Sequence, residues 1–243
     1  MKFSLFLAAA SIVAAAPGTK LVQRDTSPLV PRSSARRARY SSSPNQRLWS
    51  LDSSKASNDD YSGNWAGAVK IGKGYNHVQG TITVPEVSGA DGAAASAWVG
   101  IDGDTCQTAI LQTGISFYAD GTFDAWYEWI PDYAYSFSNF QVSVGDKIRM
   151  TVDASSKTKG IATLENLTTN QKWIVEAFQE NGSQVTLADF GTVTFTGATV
   201  SGSSGSTGPQ GADIIDISPD EGQTVLAKGS VSGSSVTVKY VGN

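Results

Sequence analysis

The stretch Ser96–Trp129, SAWVGIDGDTCQTAILQTGISFYADGTFDAWYEW, decides the fold. It holds three strand-like runs, Ala97–Asp102, Ala109–Thr113 and Ala125–Trp129, separated by turn residues. Asp120-Gly121 marks a tight hairpin between the second and third. The middle run places one glutamine, Gln112, inside an otherwise apolar strand. A primary amide there must find partners, because burying a polar group without hydrogen bonds is costly. Taken alone, Gln112 reads as a core glutamine satisfied by neighbouring backbone. Its surroundings shift that reading. Residues two apart on a strand share a face. Trp98, Gly100 and Asp102 therefore lie together, as do Trp126 and Glu128. In Lys172–Phe178 the same rule groups Ile174, Glu176 and Phe178. Three strands set an acid beside aromatic or apolar groups. With Gln112 they read as a lined groove, suited equally to a peptide or a sugar.

Outward from this stretch, short alternating runs recur between turn signals. Gly80–Val84, Gln141–Val144, Lys147–Val152, Thr192–Phe195 and Ser235–Tyr240 all read as strands. Gly145-Asp146 predicts a second hairpin, and Ser201–Gly211 a Gly/Ser loop. No amphipathic helix stands out. Residues 56–243 are expected to form one all-β domain, an antiparallel β-sandwich. That length buries a proper core without disulfides.

The N-terminus predicts the compartment. Met1-Lys2 precedes a mostly apolar run, Phe3–Ala16, that ends in small residues. This is the layout of a secretory signal peptide over residues 1–16, and the run is too short to span a membrane. Residues 17–55 are rich in Ser, Pro and Arg. Residues 1–55 carry nine basic and two acidic side chains, whereas residues 56–243 carry nine basic and twenty acidic ones. A leader of net charge +7 thus precedes a domain of −11. A removable prosegment attracted to its own domain fits this asymmetry. The arginine cluster lacks interleaved aromatics and precedes an acidic body, so nucleic acid is discounted as a partner. The mature protein is expected to be secreted, extracellular, off the membrane and monomeric.

Composition narrows the chemistry. The chain has one histidine, His77, and one cysteine, Cys106. Neither sits in a nucleophile context, and zinc sites need several such ligands. No phosphate-cradling loop or dinucleotide fingerprint is present. No metal and no cofactor are expected. Carboxylates and amides remain. Two sequons, at Asn166 and Asn181, are candidate glycosylation sites in an exported protein.

At this point the residues carry a resemblance. Tyr61–Gly67 (YSGNWAG), Gly80–Pro85 (GTITVP), Ala97–Gly103 (AWVGIDG), Ile110–Gly114 (ILQTG) and Trp126–Trp129 (WYEW) follow in order. Together they resemble the glutamic peptidase (eqolisin) family of secreted fungal acid endopeptidases. The resemblance implies a concanavalin-like, antiparallel sandwich of two large sheets. It implies a catalytic dyad of Gln112 and Glu176, the latter in Trp173-Ile174-Val175-Glu176. It also implies that Trp65, Trp98, Asp102, Glu128 and Phe178 line the cleft for a protein or peptide substrate. In the family mechanism the glutamate is general base on a water that attacks the scissile carbonyl, and the glutamine amide stabilises the oxyanion. Those residue types suit acid conditions. A carboxylate stays a competent base where histidine is already protonated, and a carboxamide donates N–H at any pH.

The chain departs from the family in one place. Asn166–Lys172 runs directly into Trp173, where relatives insert a further strand and a loop that carries a cysteine. That cysteine is the family's disulfide partner for the residue at Cys106, so its loss accounts for an odd cysteine in an exported protein. Ala177 stands where relatives usually carry Asp. Two further readings follow. One is a homologue impaired by the deletion. The other is a carbohydrate-binding or glycan-active sandwich that uses Asp102 and Glu128 with Trp98, Trp126 and Trp129 as stacking platforms.

Overall fold

The structure is a computed structural model that describes residues 3–9, 30–31, 47–48, 59–132, 134–175, 187–220 and 222–242. Every regular element among them is a strand. The leader supplies β1 (Phe3–Ala9), β2 (Val30–Pro31) and β3 (Arg47–Leu48). Then come β4 (Asp59–Ser62), β5 (Ala66–Gly72), β6 (Tyr75–Thr83), β7 (Ala94–Asp102), β8 (Ile110–Tyr118), β9 (Phe123–Ile130) and β10 (Tyr135–Ser136). After them follow β11 (Lys147–Ser156), β12 (Lys159–Asn166), β13 (Gln171–Val175) and β14 (Thr192–Gly202). The chain closes with β15 (Gly205–Thr207), β16 (Asp213–Ile217), β17 (Ala227–Ser232) and β18 (Ser235–Tyr240).

Two sheets form the expected sandwich. The first runs β2-β10-β9-β8-β7-β1-β5-β16 and continues through β17 and β18 to the first half of β14. The second runs β13-β12-β11-β6 and ends on the second half of β14 and its hairpin mate β15. β14 thus belongs to both sheets. It bends at a register shift between Thr196 and Thr199, where Gly197 adopts a φ of 58°. A bulge with a left-handed glycine is how one strand turns a sandwich corner. The pairing is antiparallel except at β4 and β16, which run parallel and make the first sheet mixed.

The main core lies between the sheets. Ala97, Val99, Ile101, Leu111, Ile115 and Phe117 from β7 and β8 meet Val78, Ile82, Ile148, Met150, Val152 and Leu164 from the second sheet. Each large side chain fully withdrawn from water there contributes about 1.5–3 kcal/mol. A second apolar cluster covers the other face of the first sheet: Trp65, Val69, Trp98, Ile110, Trp126, Ile130 and Ile215. Strands β7 and β8 are therefore buried on both faces, which explains their near-continuous apolar composition.

Most of the predicted strands are present, and the Asp120-Gly121 turn joins β8 to β9, with Thr122 donating from N and Oγ1 to Asp120 Oδ1. Three expectations need correction. Gln141–Val144 is a loop, not a strand. Side chains hold it: Ser143 N donates to Asp146 Oδ2, and Asn166 Nδ2 donates to Gln141 O. Gly145-Asp146 is consequently a turn leading into β11 rather than a hairpin between strands. The Gly/Ser stretch Ser201–Gly211 is not wholly a loop, since it contains the β14–β15 hairpin.

Asn166 is fully buried. Its Nδ2 also donates to Asp146 Oδ2 at 2.8 Å, and its Oδ1 accepts from the backbone N of Thr168 and Thr169. The amide that a glycan would occupy is thus spent on fixing two turns, which argues against Asn166 as a glycan site in the folded domain. Asn181 lies outside the described residues. Asn166→Ala is expected to cost about 1–3 kcal/mol by stranding these donors and acceptors, measurable by urea unfolding.

Tyr127 faces the main core between Tyr135 and Phe137, with ring centroids 5.7 and 4.9 Å away. Its hydroxyl is buried without a hydrogen-bond partner. Burial, then the neighbouring Tyr135 and Asp132, push this phenol well above its ordinary range. A raised folded-state pKa gives stability that is intact below the unfolded value of about 10 and is lost as the pH climbs from there. Tyr127→Phe is therefore expected to unfold no more easily at neutral pH and to flatten the alkaline decline, as read from thermal unfolding across pH.

Candidate active site

Cross-strand register assembles the site. Gln112 on β8 pairs with Gly100 on β7 and with Glu128 on β9. Gly100 pairs in turn with Phe6 on β1, and Phe6 with Val69 on β5. Residues in one row of a sheet share a face. The row Val69–Phe6–Gly100–Gln112–Glu128 therefore crosses the face opposite the main core. Trp98 and Trp126 occupy the next row, on either side of Gly114.

Within that row, Gln112 Nε2 donates to Glu128 Oε2 at 2.7 Å. A carboxylate only accepts, so this bond fixes which end of the amide is nitrogen. Gln112 Oε1 is buried with no hydrogen-bond partner. Leaving such an acceptor unsatisfied costs about 1–3 kcal/mol. The Gln112 amide is thus pinned on one side and open on the other. The adjacent strand position is empty of side chain: a Cβ on Gly100 would lie 2.9 Å from Gln112 Cβ and 3.1 Å from Trp98 Cζ3. Thr113, on the other face, donates from Oγ1 to Trp126 O and locks β8 to β9 beneath the amide.

The tryptophans wall this arrangement. Trp65 and Trp98 meet edge to face with centroids 5.0 Å apart. Trp65, Trp98, Gln112, Trp126 and Glu128 are each at most 1 % exposed, so this face is closed in the full chain. Of the residues expected to line a cleft, Trp65, Trp98 and Glu128 do gather around Gln112. Asp102 instead ends β7 with a left-handed φ of 70°. It lines a groove at the end of the sandwich with Cys106, Trp129, Ala154 and Lys157. Trp129 packs against the main core, on the face opposite Trp126. A single stacking platform of Trp98, Trp126 and Trp129 is therefore not formed. Val69 and Ile215 complete the apolar wall and were not anticipated, although alternation in Ala66–Gly72 places Val69 on that face.

Glu176 and Phe178 lie outside the described residues. The residue before Glu176 is placed: Val175, on the outer strand of the second sheet, pairs with Ala162 on β12. Chain geometry then separates two requirements. β13 begins with Gln171 opposite Asn166, at one end of β12. The opening between β5 and β7 lies at the other end, because Ile101 and Asp102 share a groove with Ala154, which pairs with Gly160. The eight residues of β12 cover roughly 25 Å. Two peptide steps from Gln171 to Trp173 cover at most about 7 Å. The segment that starts at Trp173 therefore cannot both follow β12 and enter the first sheet beside Gly100. The length that separates the two placements is about that of one strand and a turn. Cys106 is a free thiol, 3.7 Å from Thr108 Oγ1.

Comparison with known proteins agrees with this geometry. The Peptidase A4 family profile matches residues 63–172 and 172–240, and the break falls at the junction just described. Aspergillopepsin-2 of Aspergillus niger is 43% identical, covering 99% of this chain and 100% of its own length. That alignment spans 290 positions, more than the 243 residues here, so the relative carries segments that this chain lacks. Scytalidopepsin B of Scytalidium lignicola is 39% identical over 97% of this chain and 96% of its own. Among solved structures, scytalido-glutamic peptidase with a transition state analog inhibitor superposes with a TM-score of 0.69. It shares 40% identity and covers 74% of this chain and 98% of that one. Aspergilloglutamic peptidase from Aspergillus niger superposes at 0.55 with 50% identity, over 61% of this chain and 99% of that one.

Proposed function

We propose, for a chain that belongs to the Peptidase A4 family and is a glutamic-type endopeptidase, that its chemistry is hydrolysis of protein substrates in acid by Gln112 and Glu176, which meet once the chain before Trp173 is long enough for Glu176 to reach the first sheet. The observation that carries the proposal is the buried Gln112 amide, whose Nε2 is held by one hydrogen bond to Glu128 Oε2 and carries a second N–H. One N–H of Nε2 is committed to Glu128. The second is available to a carbonyl oxygen that turns into an oxyanion as water attacks. Glu176 takes the proton from that water and returns it to the leaving amine. A buried donor aimed at developing charge is worth about 3 kcal/mol, because its orientation is set before the reaction begins. Glu128 sets that orientation, and the walls of Trp65, Trp98 and Trp126 keep the surroundings apolar. No metal and no cofactor take part.

The protein acts outside the cell, as a zymogen whose signal peptide and basic prosegment are removed. Two observations support this. The site face is closed in the full chain, and the two described pieces of residues 17–55, Val30–Pro31 and Arg47–Leu48, pair with strands of the first sheet. Near neutral pH the positive leader is held by the acidic domain. Protonation of carboxylates in acid weakens that attraction and releases it. The test is proteolysis of a denatured protein at acid pH by leader-free enzyme with a strand and a turn inserted before Trp173. Cleavage is expected to persist in metal chelators and in serine- and cysteine-directed reagents. Inhibition by any of these would overturn the assignment.

A further inference from the structure

The outer face of the second sheet carries a group of polar side chains that peptide hydrolysis does not use. Val78, Val152, Ala162, Leu164 and Val200 of this sheet belong to the main core. Their neighbours along β6, β11, β12 and β14 therefore point away from it. Cross-strand register sets four of those neighbours in one row, Thr199–Gln79–Thr151–Thr163. Two residues along from that row on one side, Arg149 pairs with Glu165. Two residues along on the other side, Asp153 pairs with His77. Four strands at about 4.8 Å spacing make the row roughly 14 Å long. The whole face lies on the far side of the molecule from Gln112 and its tryptophans.

The rows differ in depth. Thr151 and Thr163 are 9 and 8 % exposed. The side chains of Arg149 and Glu165 are 35 and 15 % exposed, and those of His77 and Asp153 are 29 and 49 % exposed. A sunken floor of hydroxyls and one amide thus runs between two raised rims. Each rim is a fixed pair. Arg149 Nε donates to Glu165 Oε2 at 2.7 Å, and His77 Nδ1 meets Asp153 Oδ1 at 2.6 Å. Side chains held before a ligand arrives lose less entropy when it binds. The pairs spend only part of their hydrogen-bonding capacity. Arg149 keeps the four N–H groups beyond Nε, and His77 keeps Nε2. On the floor, Thr151 Oγ1 donates to Gln79 Oε1 at 3.4 Å, which leaves the Gln79 NH2 unspent. Thr163, although nine-tenths buried, makes no side-chain bond to a described residue.

This chemistry selects among partners. Each rim sets a base against an acid, so neither a polyanion nor a polycation is favoured. The floor has no large apolar side chain, so it lacks the anchor of a protein interface. A neutral polyhydroxylated chain fits both conditions, because each of its hydroxyls donates one hydrogen bond and accepts others. We propose that this trough is a glycan-binding site, and that its ligand is an uncharged polysaccharide lying across β6, β11, β12 and β14. Hydroxyls of the chain meet Gln79 and Thr163 on the floor and Arg149 and Asp153 on the rims. A single sugar is held weakly, since exchanging water for protein partners brings a small net gain per bond. A chain engages the trough at several points together, so affinity rises with its length. Bound in this way, the protein is retained on a glycan matrix while the face of Gln112 points away from it. The site rests on no role given to Gln112 or Glu176.

The experiment runs the full chain in native gels containing laminarin, mannan or hydroxyethyl cellulose, beside gels containing dextran sulfate. At least one neutral polymer is expected to retard the wild type, and added salt is expected to leave that retardation unchanged, since no net charge is screened. Arg149→Met keeps the stem of the side chain and removes its donors. Thr163→Val keeps the shape of the floor and removes its hydroxyl. Each is expected to weaken binding about tenfold, the effect of losing one such hydrogen bond. Asp102→Asn, on the first sheet, is expected to bind as the wild type does. Thermal unfolding shows that each variant is folded, and if Arg149→Met is not, Thr163→Val decides. No retardation by any neutral polymer, or retardation that survives both second-sheet variants, overturns the site. Retardation by dextran sulfate alone overturns the neutral ligand. Binding lost in Asp102→Asn but kept in Arg149→Met puts the sugar on the first sheet and overturns the proposal as well.

Discussion

A chain with one strand and a turn inserted between Lys172 and Trp173, the turn carrying one cysteine, is expected to cleave denatured protein in acid at least about a hundredfold faster than the 243-residue chain. The reason is distance. In the present chain Val175 is committed to Ala162 on the second sheet, while Gln112 sits at the centre of the first. Proton transfer and carbonyl attack need reacting groups in contact, and a misplacement of about an ångström already costs about two orders of magnitude. An inserted strand of five or six residues, at about 3.3 Å each, would take over the place beside β12 and run back towards Gly160. The turn after it would cross the groove where Asp102, Cys106 and Lys157 lie. Trp173 would then begin a strand between β5 and β7. A cysteine in that turn would meet Cys106, and closure of such a loop typically adds about 2–4 kcal/mol. The rate is read by peptide release at acid pH, and the bond by thiol titration with and without reductant. An inserted chain that forms the disulfide yet cleaves no faster would show that the missing length is not what separates Glu176 from Gln112.

Much of the fold was legible because two-residue alternation is a strong signal where one face is buried. β7, β8, β9 and β18 fall where their apolar and polar residues predicted. Gln141–Val144 alternates in the same way but is not a strand. Two side chains decide it: Asp146, three residues on, accepts from Ser143 N, and Asn166, far along the chain, donates to Gln141 O and to Asp146, which no window of sequence around Gln141 reveals. The sequon at Asn166 is silent in the same way, since its triplet says nothing about burial. Within the site, the conspicuous residues could be chosen from pattern: Gln112 in an apolar strand, Glu128 and Trp98 on the same face. The bond from Gln112 to Glu128 and the close packing over Gly100 depend on how neighbouring strands are aligned, and periodicity within a strand cannot fix alignment between strands. The leader held the least readable feature. Phe3–Ala9 is apolar enough for an export signal, and the same apolarity suits an inner strand.

Gln112→Ala in the strand-inserted chain is expected to lower kcat by about two to three orders of magnitude with KM changed little. The amide gives its hydrogen bond to an oxygen that bears full negative charge only during the reaction, so its loss falls on the transition state and not on substrate binding. Folding is a separate matter and can be read separately. The substitution removes a 2.7 Å bond to Glu128, a carboxylate that is 1 % exposed. It also removes the unsatisfied Gln112 Oε1, which itself costs stability. These changes oppose one another, and a modest shift in thermal unfolding is expected beside a large loss of rate. Glu128→Gln divides the two roles further. Its amide can accept from Gln112 or donate to it, so the pair no longer fixes the orientation of the Gln112 amide. An intermediate loss of kcat is expected there, with Gln112 itself intact. If Gln112→Ala kept its kcat and lost only affinity, Gln112 would be a substrate-binding residue, and the oxyanion would have to be held elsewhere on the sheet.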